Sequence, residues 1–296
     1  MQSSAVQHVS VWLDDASLDD ASLDDAIFPH ALEWAVGLSL PIRAVATTPD
    51  VGDCSTRVPV LDRLRAWGTA CAEKGVSVES HLSLEPTPGA IDQFLRPGGL
   101  CVFADPASSC VQHYLFDQSV CSPAICQLIC SQTYASIRRV LILCHQPSIS
   151  TAYLETAARI CQALETTPII LILANSEREA QLKQGFVEGT CNWLGLEADL
   201  DTIVHQDLTQ VVARVASWRS CSHLITARQT DPSREERPHR NLVEQFRDLC
   251  STVSVLTLPE AAALDVPLKM RSNRSILRWM QRPDVEHVVT NTKEPI

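Results

Sequence analysis

The alternation of apolar and polar positions is clearest between residues 138 and 176, where it predicts a strand, a helix and a second strand. Val140–Cys144 and Ile169–Leu173 are continuous apolar runs, typical of parallel strands that are covered on both faces. Between them, apolar residues recur at helical spacing from Ala152 to Leu164, with polar residues interleaved, and Pro168 favours the start of the next strand. A parallel strand pair requires such a crossover, so the segment predicts a right-handed βαβ unit.

This order of elements occurs twice, at corresponding points roughly 120–130 residues apart. The pattern predicts strands in the first half at His8–Leu13, Ile42–Thr47, Val76–Leu84, Leu100–Ala104 and Ala124–Cys130, and in the second half at Val140–Cys144, Ile169–Leu173, Leu200–Val204, His223–Ala227 and Val253–Leu258. Helices are predicted between most of these strands, near Val60–Lys74, Pro88–Leu95, Thr151–Leu164, Glu177–Leu194, Leu208–Trp218 and Arg240–Leu249. The predicted fold class is therefore α/β, with two doubly wound parallel five-stranded sheets in domains at 1–133 and 134–260, followed by a tail at 261–296.

One stretch of the first half departs from both regular periods. Three consecutive pentads, LDDAS, LDDAS and LDDAI, run from Leu13 to Ile27. A period of five fits neither a helix nor a strand, so we interpret this stretch as an acidic loop or a frayed entry to a helix at Phe28–Leu38.

The charge distribution limits the classes of partner. The net charge is −11, and residues 1–133 carry 16 acidic against 6 basic side chains. Such a protein repels nucleic acid and anionic membrane, and we expect neither as a partner. No apolar run approaches the about 20 residues that span a bilayer, and the N-terminus lacks the basic stretch of a secretory signal, so we expect a cytoplasmic protein.

The twelve cysteines are mostly embedded in apolar segments, which predicts reduced, buried thiols that act as small hydrophobic side chains. The densest group, Cys121, Cys126 and Cys130, has the spacing C-x4-C-x3-C, which is not a zinc-binding pattern. We therefore expect no metal. No GxSxG, HExxH, Walker or GxGxxG pattern occurs, and His205 and His223 are single imidazoles without visible partners. The sequence therefore offers no catalytic residues.

Three features together resemble the universal stress protein family, here as a tandem pair covering about residues 8–258. The first strand is followed at once by Asp14, the fourth strands end in LCVFADPA and SHLITARQ, and each half closes on a helix–strand pair. The resemblance implies an open, Rossmann-like sheet similar to that of adenine-nucleotide alpha-hydrolases. It also implies that the halves form an intramolecular pseudo-dimer through their last strands.

The family divides into ATP binders and non-binders, and its binders carry two motifs. An Asp after strand one contacts the adenine side, and a loop of the form GxxGx9G(S/T) after strand four wraps the phosphates. Asp14 occupies the first position in one half and His145 in the other. The loop is degenerate in both halves, because no glycine lies between Gly99 and Gly185 or after Gly195. A backbone phosphate cradle needs glycine's positive φ, so the resemblance implies no ATP in the usual mode.

Two ligand-binding alternatives remain open at this stage. One half could hold ATP or AMP through Asp14 and an unusual loop. A smaller anion could be held by the arginines that replace the phosphate loop of the second half, Arg228, Arg234, Arg237 and Arg240. Both features also have a purely structural interpretation. Asp14 would be a turn or helix-capping residue, and the arginine-rich stretch would be a solvated loop.

The tail contains a second candidate site. Residues 269–282, KMRSNRSILRWMQR, place Arg271, Arg274, Arg278 and Arg282 on one helical face and Ile276, Leu277 and Met280 on another, with Trp279 beside them. This pattern predicts a short basic amphipathic helix that contacts a protein partner, or docks on the protein's own acidic first half, chiefly through Arg271, Arg274, Arg278 and Trp279.

These observations lead to one functional expectation. We expect a non-enzymatic, stress-linked regulatory or interaction protein of the universal stress type that needs no cofactor. The alternative is a nucleotide-binding member that uses its first domain. An unknown protein partner and a homodimer with the tail as a contact are the associations that the sequence leaves open.

Overall fold

The computed structural model describes residues 7–13, 21–47, 54–83, 87–96, 98–103, 114–115, 125–131, 134–146, 149–204, 208–228 and 245–259. The strands of the first half are β1 (His8–Leu13), β2 (Ile42–Thr47), β3 (Val78–Ser83), β4 (Gly99–Phe103) and β5 (Cys126–Ile129). Those of the second half are β6 (Val140–Cys144), β7 (Ile169–Ala174), β8 (Asp199–Val204), β9 (His223–Arg228) and β10 (Ser254–Pro259). The helices are α1 (Ala21–Leu38), α2 (Cys54–Glu73), α3 (Pro88–Phe94), α4 (Thr151–Ala163), α5 (Glu177–Leu194) and α6 (Leu208–Trp218). Residues 245–249 are also helical.

All ten strands belong to one sheet, in the order β3-β2-β1-β4-β5-β10-β9-β6-β7-β8. Within each half the strands are parallel, which confirms the predicted doubly wound α/β class. The last strands of the halves, β5 and β10, pair antiparallel, with Leu128 opposite Leu256. This single antiparallel step joins the two predicted five-stranded sheets. The parallel strands of each half all end at one edge of the sheet, which we call the carboxyl edge of that half. Because β5 and β10 are antiparallel, the two carboxyl edges lie at opposite ends of the sheet.

Two apolar cores cover the two faces of this sheet. One core contains side chains of α1, α2, α4 and α5, and the other contains side chains of α3, α6 and Phe246. Apolar residues of most strands alternate between the two cores, as Leu141 and Ile142 do. Burial on both faces explains why these strands are continuous apolar runs in the sequence.

One face of α1 packs on the second half of the chain. His30, Glu33, Trp34 and Gly37 follow the helical spacing of three and four residues, and each one meets a group of the second half. The Glu33 carboxylate accepts hydrogen bonds from the backbone N–H of Ile137 at 2.9 Å and the Tyr134 hydroxyl at 3.2 Å. Gly37 lacks a side chain where Leu164 lies, so α1 and α4 approach closely. The two halves are thus joined by a helix contact as well as by strand pairing.

A buried hydroxyl pair reinforces the strand junction and supports a first prediction. The Ser254 Oγ accepts a hydrogen bond from the Ser131 backbone N–H at 3.0 Å, and lies 3.3 Å from the Ser131 Oγ. Replacing Ser254→Ala should lower the free energy of unfolding by about 1 kcal/mol, because the N–H loses this acceptor in a buried position. Urea denaturation measures the change. Ser251→Ala, at an exposed position nearby, is the control and should change stability little.

The structure differs from the predicted elements mainly at the starts of α1 and α2. Helix α1 begins at Ala21, within the pentad repeat, rather than at Phe28, and helix α2 begins at Cys54 rather than at Val60. None of the helices in the described part of the chain is long and apolar enough to cross a membrane. The predicted boundary at residue 133 falls between β5 and β6, and the tail at 261–296 lies outside the described residues.

Candidate functional site

Among the described residues, the carboxyl edge of the second half is where a doubly wound sheet of this topology would bind a ligand. The strand order reverses between β6 and β9, and ligands of doubly wound sheets bind outside the strand ends at that switch point. Arg228 ends β9, and His145 directly follows β6. Both lie two residues beyond the last registered pair of these strands, Leu143 and Thr226, so their backbones are neighbours across the switch point.

A buried lysine from α5 occupies this edge. The Lys183 ammonium donates hydrogen bonds to the backbone oxygens of Leu173 at 2.9 Å and His145 at 3.5 Å. It also forms an ion pair with the Glu179 carboxylate at 2.7 Å. An ammonium group has three N–H donors, and three acceptors surround this one. Lys183 therefore ties the ends of β6 and β7 to α5, with its hydrogen-bonding capacity used within the protein.

Glu179 is held in place by the start of its own helix. The N-cap residue Ser176 accepts a hydrogen bond from the Glu179 backbone N–H, and the Asn175 backbone N–H donates to the Glu179 carboxylate at 3.0 Å. Hydrogen bonds from Lys183 and from Asn175 hold the pKa of the Glu179 carboxyl below its usual value. The carboxylate therefore stays ionised and keeps the lysine in position.

Two side chains at this edge have nitrogen atoms without a hydrogen-bond partner. These are the Nδ1 of His145 and the amide Nε2 of Gln146. Burial, and then the charge of Lys183, lower the pKa of His145 to about 4. The imidazole is therefore neutral near pH 7, so it can donate or accept a hydrogen bond but supplies no positive charge for phosphate.

The neighbouring groups are poor nucleophiles. Burial raises the pKa of the Cys144 thiol to about 12, so the reactive thiolate is absent near neutral pH. The Tyr153 hydroxyl lies 3.0 Å from the backbone oxygens of both Leu143 and Ile225, and burial raises its pKa well above the usual value. Tyr153 therefore anchors α4 to β6 and β9 by hydrogen bonding.

Most of the residues that the sequence singled out lie outside the part of the chain that the structure describes. Arg228 is buried at the end of β9. Asp14, His205, Arg234, Arg237 and Arg240 lie outside the described residues, as do Arg271, Arg274, Arg278 and Trp279 of the tail. The roles predicted for them stay predictions.

The interpretation of His223 as an imidazole without partners is wrong. Its Nδ1 lies 3.0 Å from the Ser222 Oγ, and its ring contacts the rings of His30 and Trp34. The ring contacts involve a helix of the other half, which is why the sequence around His223 does not reveal them.

Sequence reasoning missed Lys183, although a signal for it exists. Lys183 lies between Ala180 and Val187 at helical spacing on the buried face of α5. A lysine on an apolar helix face is unusual enough to predict a buried charge with partners.

The cysteines behave as predicted in the described part of the chain. The nine described thiols are all free and buried. No group of three or more His, Cys, Asp and Glu side chains within the described ranges could hold a metal ion.

Comparison with known proteins identifies the fold. No family model matches the chain, and no curated protein matches it.

Three solved structures are similar over most of their length. A universal stress protein from Archaeoglobus fulgidus has a TM-score of 0.59 at 10% identity, covering 85% of this chain and 98% of that one. A putative universal stress protein from Pseudomonas aeruginosa has a TM-score of 0.53 at 13% identity, covering 88% and 96%. The cytoplasmic domain of a prokaryotic cation chloride cotransporter has a TM-score of 0.55 at 12% identity, covering 87% and 98%. The chain therefore has the doubly wound fold of universal stress proteins, and the resemblance found in its sequence is confirmed at the level of the fold.

Proposed function

We propose that this chain is a non-enzymatic, stress-linked regulatory or interaction protein that acts in the cytoplasm and does not bind ATP in the usual mode of universal stress proteins. The observation that carries the proposal is the closure of the second carboxyl edge by Lys183. Its ammonium donates to Leu173 and His145 and pairs with Glu179, so a phosphate would have to displace one of these acceptors. The glycines of a phosphate loop are absent beyond Gly195 as well.

The chemistry of the described residues also supports a non-enzymatic role. The Ser–His contacts, Ser222 with His223 and Ser131 with His30, lie in the buried junction of the two halves, where no substrate reaches them. The Cys144 thiol, next to the switch point, has a pKa of about 12 and stays protonated. A nucleophile needs an accessible, activated group, and these groups lack one or both properties.

The similar structures support an interaction role in a different way. One of them is the cytoplasmic domain of a cation chloride cotransporter, and 98% of that domain is covered by the match. The same arrangement of strands and helices thus forms a domain of a larger transport protein. A fold that occurs in such a setting suits a module that binds or regulates another protein, although fold alone does not determine function.

A thermal-shift titration with ATP, ADP and AMP, each with and without Mg²⁺, tests the nucleotide part of this proposal. We expect no change in the melting temperature at millimolar nucleotide. A ligand at about 100 times its Kd would add roughly 2.7 kcal/mol and raise the midpoint by a few degrees. A shift with ATP that disappears in Asp14→Ala would contradict the proposal and favour the alternative, nucleotide binding by the first half. Asp62→Ala, on an exposed face of α2, is the matched control.

A further inference from the structure

Helix α5 carries a stripe of exposed apolar side chains. Leu182, Phe186 and Trp193 have exposed fractions of 69%, 41% and 71%, and the exposed Gly189 lies between the last two. The four positions are separated by four, three and four residues, so they fall within about 60° of one another around the helix axis. This is the spacing of the seam along which two helices pack. A contiguous apolar strip on a protein surface indicates a contact site.

Gly189 forms a notch in this stripe. A Cβ atom at Gly189 would meet no atom of the rest of the protein within 4 Å, and the same holds at the neighbouring Gly185. The helix backbone is therefore open to close approach from outside the molecule. Phe186, three residues before Gly189, is a large side chain on the same stripe. The stripe thus contains both a large side chain and a place that a large side chain can fill.

The order of these residues favours a second copy of the chain as the occupant of the stripe. Leu182 and Trp193 are equally far from the midpoint of the stripe, and so are Phe186 and Gly189. In an antiparallel two-fold contact centred at this midpoint, Phe186 of each copy lies against Gly189 of the other. Leu182 of each copy then lies against Trp193 of the other. A single two-fold rotation therefore fills both notches and covers both ends of the stripe.

The carboxylates of α5 do not oppose such a contact. Glu188 lies more than about 100° around the helix from the stripe, and so does Glu177. Glu188 accepts a hydrogen bond from Gln184 at 2.8 Å, and Gln184 in turn accepts one from a threonine of β8 at 3.4 Å. This flank of α5 therefore lies toward β8, away from the stripe. Glu179 is neutralised by its ion pair with the buried Lys183 at 2.7 Å.

An exposed arginine sets the direction of the two helices. Arg178 lies on the face of the stripe, one turn before Leu182. In an antiparallel contact, the Arg178 guanidinium of each copy lies near the carboxyl-terminal end of the other α5, which carries the negative end of the helix dipole. A parallel contact would bring the two arginines together, and like charges across an interface are repulsive. The charges on this face therefore favour the antiparallel arrangement that the apolar residues also favour.

The contact is small and lies at one end of the molecule. Helix α5 packs on β7 and β8, the last two strands of the sheet, so the stripe is far from the junction of the two halves. A helix of 18 residues provides less than the about 800 Å² per partner of a standard-size interface. We therefore expect a weak dimer, with a Kd in the micromolar range.

We propose that two copies of this chain associate through an antiparallel, two-fold contact between their α5 helices, in which Phe186 of each copy fills the notch at Gly189 of the other. The contact covers an apolar surface that the fold leaves exposed. It goes beyond the proposed function, because it concerns self-association and does not depend on whether the carboxyl edge of the sheet binds nucleotide.

Sedimentation equilibrium of the full chain, at concentrations from about 1 μM to 300 μM, tests this contact, because that range brackets a micromolar Kd. Gly189→Gln fills the notch and should raise the dimer Kd at least about tenfold, since an aromatic anchor loses its place at the centre of the interface. Gly68→Gln is the matched control on α2, where a Cβ atom also meets nothing within 4 Å. It should leave the Kd unchanged. Both replacements favour a helix, so neither should lower the melting temperature.

A reciprocal exchange tests the register of the contact. Phe186→Ala should also raise the Kd about tenfold. Adding Gly189→Phe to Phe186→Ala places the large side chain on the other side of the midpoint, opposite the small residue 186 of the second copy, and should return the Kd to within about threefold of the wild type. A wild type that stays monomeric throughout the concentration range would overturn the proposal and assign the stripe to a different partner. So would a dimer whose Kd is unchanged in Gly189→Gln, or one that the double variant does not restore, because its contact would then lie elsewhere.

Discussion

Lowering the pH from 7.5 to 5.8 should reduce the free energy of unfolding by about 4 kcal/mol, through four buried imidazoles. Burial lowers the pKa of His8, His30 and His145 to about 4 and that of His223 to about 3, from a usual value of 6.5. The unfolded chain therefore binds more protons than the folded chain between about pH 6.5 and pH 4. Stability is full above this window and is lost as the pH falls through it, at about 1 kcal/mol per imidazole by pH 5.8.

The surroundings of these imidazoles explain the direction of the shift. The Nε2 of His8 lies 3.1 Å from the Arg43 guanidinium, whose charge disfavours a second cation, and Arg96 acts in the same way. Glu79 acts in the opposite direction but less strongly. His30 and His223 face each other with ring centroids 5.9 Å apart, and both are fully buried. Protonating either one would place a charge in an apolar junction.

Urea denaturation at both pH values measures this effect, at low protein concentration because the isoelectric point is near 5.2. His30→Gln and His223→Gln should each reduce the difference between the two pH values by about 1 kcal/mol. The difference is the informative quantity, since it does not depend on how much either variant destabilises the protein at pH 7.5. An unchanged difference in both variants would mean that other groups cause the acid sensitivity.

Replacing Lys183→Met should lower the free energy of unfolding by about 2 kcal/mol, because the buried Leu173 oxygen loses a charged donor. Methionine has nearly the volume of the lysine side chain, so the loss reports on hydrogen bonding rather than on packing. The pKa of the Glu179 carboxyl should also rise toward its usual value, since the hydrogen bond from Lys183 is the main cause that lowers it.

Chemical denaturation and an NMR titration of Glu179 measure these two changes. Lys74→Met, at an exposed position, is the control and should change stability by less than about 0.5 kcal/mol. Adding Glu179→Gln to Lys183→Met gives a double-mutant cycle that isolates the pair. A Lys183→Met protein as stable as the control would show that the lysine neither holds the strand ends to α5 nor closes the carboxyl edge of the second half.

Local sequence signals predicted most elements of this fold. The strands β1, β2 and β6 and the helices α5 and α6 have the predicted bounds. Continuous apolar runs mark strands that are buried on both faces. In the structure Ser176 is the N-cap and Gly195 the C-cap of α5. Gly195 and Gly75 both adopt the positive φ that a helix end requires, at 63° and 71°. The start of α1 was predicted wrongly because the pentad repeat has no helical period.

The candidate site was predicted only in part. The position of His145 after the first strand of its half follows from strand order, and the structure places it at the switch point. The neutral state of its imidazole and the closure of the edge by Lys183 depend on burial and on carbonyl groups of two other segments. Neither motif nor spacing contains that information.

The sequence by itself determined the α/β class, the division into two similar halves and the resemblance to universal stress proteins, because these follow from apolar periodicity within single elements and from the repetition of their order along the chain. Only the tertiary structure decided how the halves meet. The hydrogen bond from Ser131 to Ser254 joins residues 123 positions apart, and that from Ile137 to Glu33 joins residues 104 apart. Such contacts arise from the antiparallel pairing of β5 with β10, which periodicity along the chain does not encode. The same pairing places the two carboxyl edges at opposite ends of the sheet.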